Sequence, residues 1–182
     1  MSGKYVLSLA FVSPTPDDHW LNRLTAWASR HPFYHVELHL ETVDKCFSIQ
    51  FGDTARLRTK SMANPNYRIV SLSVSSHEYE NCLQFCQAAE TWELGFDDPG
   101  MYRSWYGTGC CESGSQMVGR TFCSKIITEA LQYGHVPEVE HLNPALATPS
   151  RLYDAVASSP RVVCASVPFK RESLARLSSA MA

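Results

Sequence analysis

Apolar and polar positions alternate along several stretches of the chain. Residues Tyr5–Val12, "YVLSLAFV", are apolar enough for a buried strand, and "SPTPDD" breaks them off. Tyr34–Leu40 and Lys45–Phe51 alternate around "ETVDK" and read as a hairpin, with "ARLRTK" as a third strand. Tyr67–Val74 alternates strongly, and "RVVCASV" supplies a last strand.

Between these runs the period changes to that of a helix. Trp20, Leu21, Leu24, Trp27 and Ala28 recur at helical spacing behind the acidic start Asp17–Asp18, and Pro32 closes the segment. From Glu78 to Trp92 the residues Tyr79, Cys82, Phe85 and Cys86 share a face, with "LGFDDPGMY" ending the helix. A further helix runs from Phe122 to Tyr133, with Thr121 as its expected N-cap and Gly134 and Pro137 at its end. "TPSRLYDAV" adds a short helix with Thr148 as N-cap and Pro149 at the first position. Residues 103–120 are rich in glycine and serine without a period, and read as a long loop just before the Phe122 helix. Residues 168–182 read as a terminal helix or tail. The pattern predicts one α+β domain over residues 1–182, with a central antiparallel sheet and helices before and after it.

Composition narrows the function classes. The 182 residues carry a net charge of -2, and their basic residues are dispersed, so no nucleic-acid partner is expected. No run approaches the roughly 20 apolar residues of a membrane span. "YVLSLAFV" is followed by no small-residue cleavage pattern, which predicts an intracellular, cytoplasmic chain. Seven cysteines at irregular spacing suit a reducing compartment with free thiols. Cys110, Cys111 and Cys123 lack the paired spacing of a structural zinc site, so neither metal nor cofactor is expected.

Two short stretches carry candidate chemistry. Cys123 opens a helix in "RTFCSKIITEAL", where the positive end of the macrodipole favours the thiolate. His35 opens the strand "HVELHL", which sets His35, Glu37 and His39 on one face and Val36, Leu38 and Leu40 on the other. An imidazole that serves a thiol needs a third polar group to fix its tautomer. Ser48 and Gln50 share a face of the neighbouring strand, and Gln50 is the more natural orienter of the two. Each feature alone also fits an ordinary structural cysteine and a solvated strand face.

Taken in order, "YHVELHL", "FSIQF", "LGFDDPGMY", "TFCSKIITEAL" and "LATPSRLYDAV" resemble the circularly permuted branch of the NlpC-type papain-like cysteine peptidases and amidases, over about residues 34–157. In that branch the histidine strand precedes the cysteine helix. The resemblance implies a permuted papain-like fold with Cys123 as nucleophile, His35 as its base and Gln50 at the position of the orienting acid. It sets Glu37 where the family has glycine, and Glu37 or His39 could stand in as orienter. "FCSKI" lies closer to the hydrolases than to the acyltransferase-like relatives, which carry "NCEHF" at the cysteine.

The expected activity is hydrolysis of an amide, peptide or isopeptide, through an acyl-enzyme, with a peptide or protein as substrate partner. Acyl transfer or thioester cleavage would use the same dyad, and a non-catalytic papain-like binding module is the reading from another class. Tyr102, Trp105 and Tyr106 are expected beside the cleft.

Overall fold

The computed structural model describes residues 5–28, 31–106 and 119–165. Six strands form one antiparallel sheet: β1 (Tyr5–Val12), β2 (His35–Leu40), β3 (Lys45–Ser48), β4 (Arg56–Arg58), β5 (Tyr67–Val74) and β8 (Val162–Ala165), in the order β4-β3-β2-β1-β5-β8. Every pairing in it is antiparallel. The α+β class read from the alternation therefore holds.

The register explains which face is core. Leu7 pairs with Leu40, Leu9 with Leu38 and Phe11 with Val36, so one face of β1 and β2 is wholly apolar. Against that face pack α2 (Ser76–Thr91), α4 (Cys123–Tyr133) and α5 (Pro149–Ala157), bringing Cys82, Cys86, Ile126, Ile127, Leu131, Leu152 and Val156 into the core. Their helical spacing is what aligns these side chains along one stripe. Ser75 caps α2 in a reciprocal box with Glu78, and Thr148 caps α5, as its sequence predicted.

The opposite face begins with His35 paired to Val12 and continues through Glu37 and His39. The segment after β4 folds over it. Lys60 and Tyr67 reach Glu37, and the Cys46 thiol meets the Met62 sulfur. A face that alternation alone would leave in water is therefore partly closed.

Several boundaries differ from the sequence reading. Asp17 and Asp18 do not start the first helix: α1 is Trp20–Ala28, and the Asp18 carboxylate instead accepts from the backbone N–H and hydroxyl of Thr15. The second hairpin strand ends at Ser48, because Gln50–Asp53 forms a turn in which Asp53 N–H donates to the Gln50 carbonyl at 3.0 Å. Gly52 takes φ +74°, which the third position of such a turn requires. The stretch expected to end α2 and the start of the expected 103–120 loop form a further helix, α3 (Asp98–Tyr106). Asp97 caps it, accepting Gly100 N–H at 3.0 Å. Residues 107–118 of that loop, the 168–182 tail and the side chains of Trp105 and Tyr106 lie outside those described.

Just before α4, β7 (Arg120–Thr121) pairs in parallel with β6 (Gly95–Phe96). Gly95 also bridges to Thr54, in the connection between β3 and β4. The entry to the cysteine helix is thus tied to the chain that follows the histidine hairpin. No helix among the described residues is long and apolar enough to cross a membrane.

Candidate active site

His35 opens β2, and Cys123 opens α4. The two elements meet because α4 lies along the apolar face of β2, with Ile126 and Ile127 in the core beside Val36 and Leu38. The N-cap of α4 is Phe122, one residue later than the expected Thr121, and it supplies no side-chain acceptor. The first N–H groups of the helix are therefore not consumed by a cap. The helix start is pinned from behind: Ser124 Oγ donates to the Ala147 carbonyl at 2.6 Å, and Thr128 Oγ1 donates to the Ser124 carbonyl at 2.7 Å.

Cys123 is 3% exposed and shares the pocket with the His35 imidazole, whose charge acts on the thiol. Burial by itself pushes a thiol pKa up, as it does for Cys46, to about 11, and for Cys82, to about 12. At Cys123 the net direction is downward. The charge of the neighbouring His35 and the backbone N–H groups of Val36 and Ser124 together outweigh burial. His35 moves the other way. Burial opposes its protonation, but the Cys123 sulfur and the Glu37 carboxylate hold the imidazolium well above the ordinary histidine range. Both directions favour the thiolate–imidazolium form of the pair over the neutral one.

The carboxylate beside His35 is Glu37, two residues along the same strand. Its Oε1 is 3.3 Å from His35 Nε2. The approach is off the direction an N–H would take, so Nε2 counts as lacking an aligned hydrogen bond; it is a charge contact first. Glu37 is 1% exposed and fully engaged: Lys60 Nζ donates to Oε1 at 2.6 Å and Tyr67 OH donates to Oε2 at 3.3 Å. Lys60 also sits over the Tyr67 ring, 5.4 Å from its centroid. Burial would raise the Glu37 pKa, but the His35 imidazolium beside it, followed by the hydrogen bond and charge of Lys60, brings it well below the usual carboxylate range.

The other candidates are placed as follows. Gln50 was expected to orient His35; it lies past the end of β3, exposed, on the wall of the same pocket as His35 and Cys123. The neighbour of the imidazole is Glu37, which the sequence reading held only as a substitute. His39 turns to Asp44 Oδ1 at 3.2 Å, away from the pair. Ser48 is half-buried in β3, paired with Arg56. Tyr67 and Lys60 were not anticipated. Their only sequence signal was a lysine and a tyrosine on either side of the "NPNY" turn, and nothing local tied them to Glu37.

A pocket of about 610 Å³ opens onto His35 and Cys123. Phe51, Phe96, Met101, Tyr102 and Tyr34 form its apolar walls, and Gln50, His19 and Asn22 its polar edge. Its size is that of an ordinary small-molecule site. Tyr34 stays a neutral phenol, its pKa pushed up to about 12 by burial and then by the Asp18 charge. Among the described residues no group of three histidine, cysteine, aspartate or glutamate side chains could hold a metal ion.

Compared with protein-family models, curated proteins and solved structures, the chain matches none.

Proposed function

We propose that this chain is a cysteine hydrolase of the circularly permuted papain-like kind, cleaving an amide through Cys123, His35 and Glu37. The observation that carries the reading is the meeting of a buried thiol at the start of α4 and a buried imidazole at the start of β2 on one pocket, with the Glu37 carboxylate 3.3 Å from that imidazole. Supporting it is the order of elements, in which a histidine strand precedes a cysteine helix packed on an antiparallel sheet.

The Cys123 thiolate attacks the carbonyl carbon, forming a C–S bond and moving the carbonyl electron pair onto oxygen. The backbone N–H of Cys123, in the uncapped first turn, donates to that oxyanion, and the Gln50 carboxamide on the pocket wall is the second donor. The His35 imidazolium passes its proton to the departing nitrogen as the C–N bond breaks, leaving an acyl thioester and neutral imidazole. His35 then takes a proton from water while the water oxygen attacks the thioester. The C–S bond breaks, an acid leaves, and the thiolate–imidazolium pair is restored. Glu37 is a positioning residue: it acts through His35, and Lys60 and Tyr67 hold it in place.

The test is turnover of a panel of fluorogenic amides and thioesters by the wild type, Cys123→Ala and His35→Ala. The reading expects hydrolysis by the wild type, lost in both variants, and an acyl adduct on Cys123 by intact mass. Turnover that survives Cys123→Ala would sink it. Faster loss of thioesters than amides would assign the same dyad to thioester cleavage.

A further inference from the structure

Building on the reading of Cys123 as an acylated nucleophile, we infer that the pocket selects substrates whose acyl portion bears a bulky, uncharged, apolar group, and that Phe51 is the residue that selects it. The argument begins with the lining. Phe51 comes from the turn after β3, Phe96 from β6, and Met101 and Tyr102 from α3, so three separate elements each contribute apolar surface to one cavity. Tyr34, a neutral phenol, adds a further aromatic wall next to His35.

None of the described lining residues is an aspartate, glutamate, lysine or arginine. The Glu37 carboxylate is buried behind His35 and already engaged by Lys60, and the Asp18 carboxylate, outside the lining, is engaged by Thr15. A charged substituent entering this cavity would lose its water and find, among the described lining residues, no fixed charge besides the His35–Cys123 pair itself, which opposes binding. An apolar one would displace water from aromatic surface, which favours it. At about 610 Å³ the cavity holds considerably more than a methyl or a hydroxymethyl group.

Phe51 is the informative wall residue. It is 76% exposed at the tip of a turn, so the fold gains little from a phenyl ring there. Its ring centroid is 5.8 Å from that of Phe96 at an interplanar angle of 60°, a tilted pair at the pocket wall. Gly52 fixes the turn that presents it, and the bridge between Thr54 and Gly95 holds the two aromatic-bearing segments together. An apolar group lying against the pair would cover the exposed ring.

The test uses matched acyloxymethyl ketones that differ only in the side group next to the ketone: benzyl, carboxyethyl or aminobutyl. Each alkylates a reactive thiol as sulfur attacks the α-carbon and the carboxylate leaves. The rate of adduct formation at Cys123 is read by site-resolved mass spectrometry on the full chain, in the wild type and in Phe51→Ala. Iodoacetamide serves as the side-group-free control. We expect the benzyl reagent to react at least about tenfold faster than either charged one, within the range a hydrophobic pocket can discriminate. Phe51→Ala should remove most of that advantage, each rate being taken relative to the iodoacetamide rate of the same protein. Equal rates in the wild type, a preference for a charged group, or full discrimination in Phe51→Ala would overturn the inference. A slow, ordinary iodoacetamide reaction at Cys123 would instead overturn the nucleophile assignment, so the two failures are distinct.

Discussion

Glu37 Oε1 stands 3.3 Å from His35 Nε2 and, on its other side, 2.6 Å from Lys60 Nζ. One carboxylate oxygen is thus shared between the imidazole beside Cys123 and a lysine from the segment after β4 that folds over the same face of the sheet. The consequences for the two polar residues once in competition as orienter differ. Glu37→Gln removes the charge that holds His35 protonated, so the His35 pKa should fall and the Cys123 thiol pKa should rise with it. Turnover should drop by about 10²-fold or more. Gln50→Ala should leave the thiol pKa where it is and lower kcat by about 10²-fold, through loss of an oxyanion donor. Thiol titration of both variants separates the roles.

Lys60 adds to His35 in lowering the Glu37 pKa, so its removal has a definite sign. The folded pKa of Glu37 is depressed, so the carboxylate is present down to unusually acid pH. In Lys60→Met that pKa should rise, and the acid limb of the pH–rate profile should move upward in pH. The alkaline limb, set by His35, should move less. A profile unchanged on the acid side would mean that Glu37 does not depend on Lys60.

Acid stability should be governed in part by a second cluster. Arg161 donates to Glu138 and, at 2.6 Å, to Glu78, tying the start of β8 to α2 and to the turn after α4. The Arg161 hydrogen bonds and the Ser159 hydroxyl outweigh burial and hold the Glu138 pKa at about 2, against 4.5 in an unstructured chain. Its contribution is therefore complete above about pH 4.5 and is lost as the pH falls towards 2. Arg161→Met should cost about 1–3 kcal/mol at neutral pH and flatten the fall in stability across that window. Denaturant melts at several pH values provide the check.

Gly134 is required by packing rather than by backbone conformation. It closes α4 with φ -72°, open to any residue, while His135 takes the left-handed φ of 56°. A Cβ at position 134 would stand 2.3 Å from Cys82 Sγ and 3.0 Å from the Glu78 carbonyl, which pushes α2 and α4 apart. Gly134→Ala should destabilise the chain by about 1–3 kcal/mol, read as a lowered Tm.

Alternation and helical period made most of this architecture legible. Tyr67–Val74 and the cysteine helix were visible because their buried residues recur with one uninterrupted period. The α3 helix was not, since glycine and serine flank it and its apolar positions are few. The signal it did carry was Asp97 followed by Asp98–Pro99, an N-cap with proline in the first turn. At the site, Cys123 and His35 could be named because each opens a regular element. The choice between Gln50 and Glu37 could not be made from the chain alone. It turns on where β3 stops and on the segment carrying Lys60 and Tyr67 folding over the second face, both long-range outcomes.

The central claim is the coupling of Cys123 to His35, and the pH dependence of iodoacetamide alkylation at Cys123 tests it most directly. The measurement is site-resolved by mass spectrometry and made on the wild type and on His35→Ala. The account predicts a wild-type thiol that reacts at pH values below the ordinary cysteine range, and a thiol pKa that rises when the imidazole is removed. An ordinary thiol pKa, the same in both proteins, would contradict it.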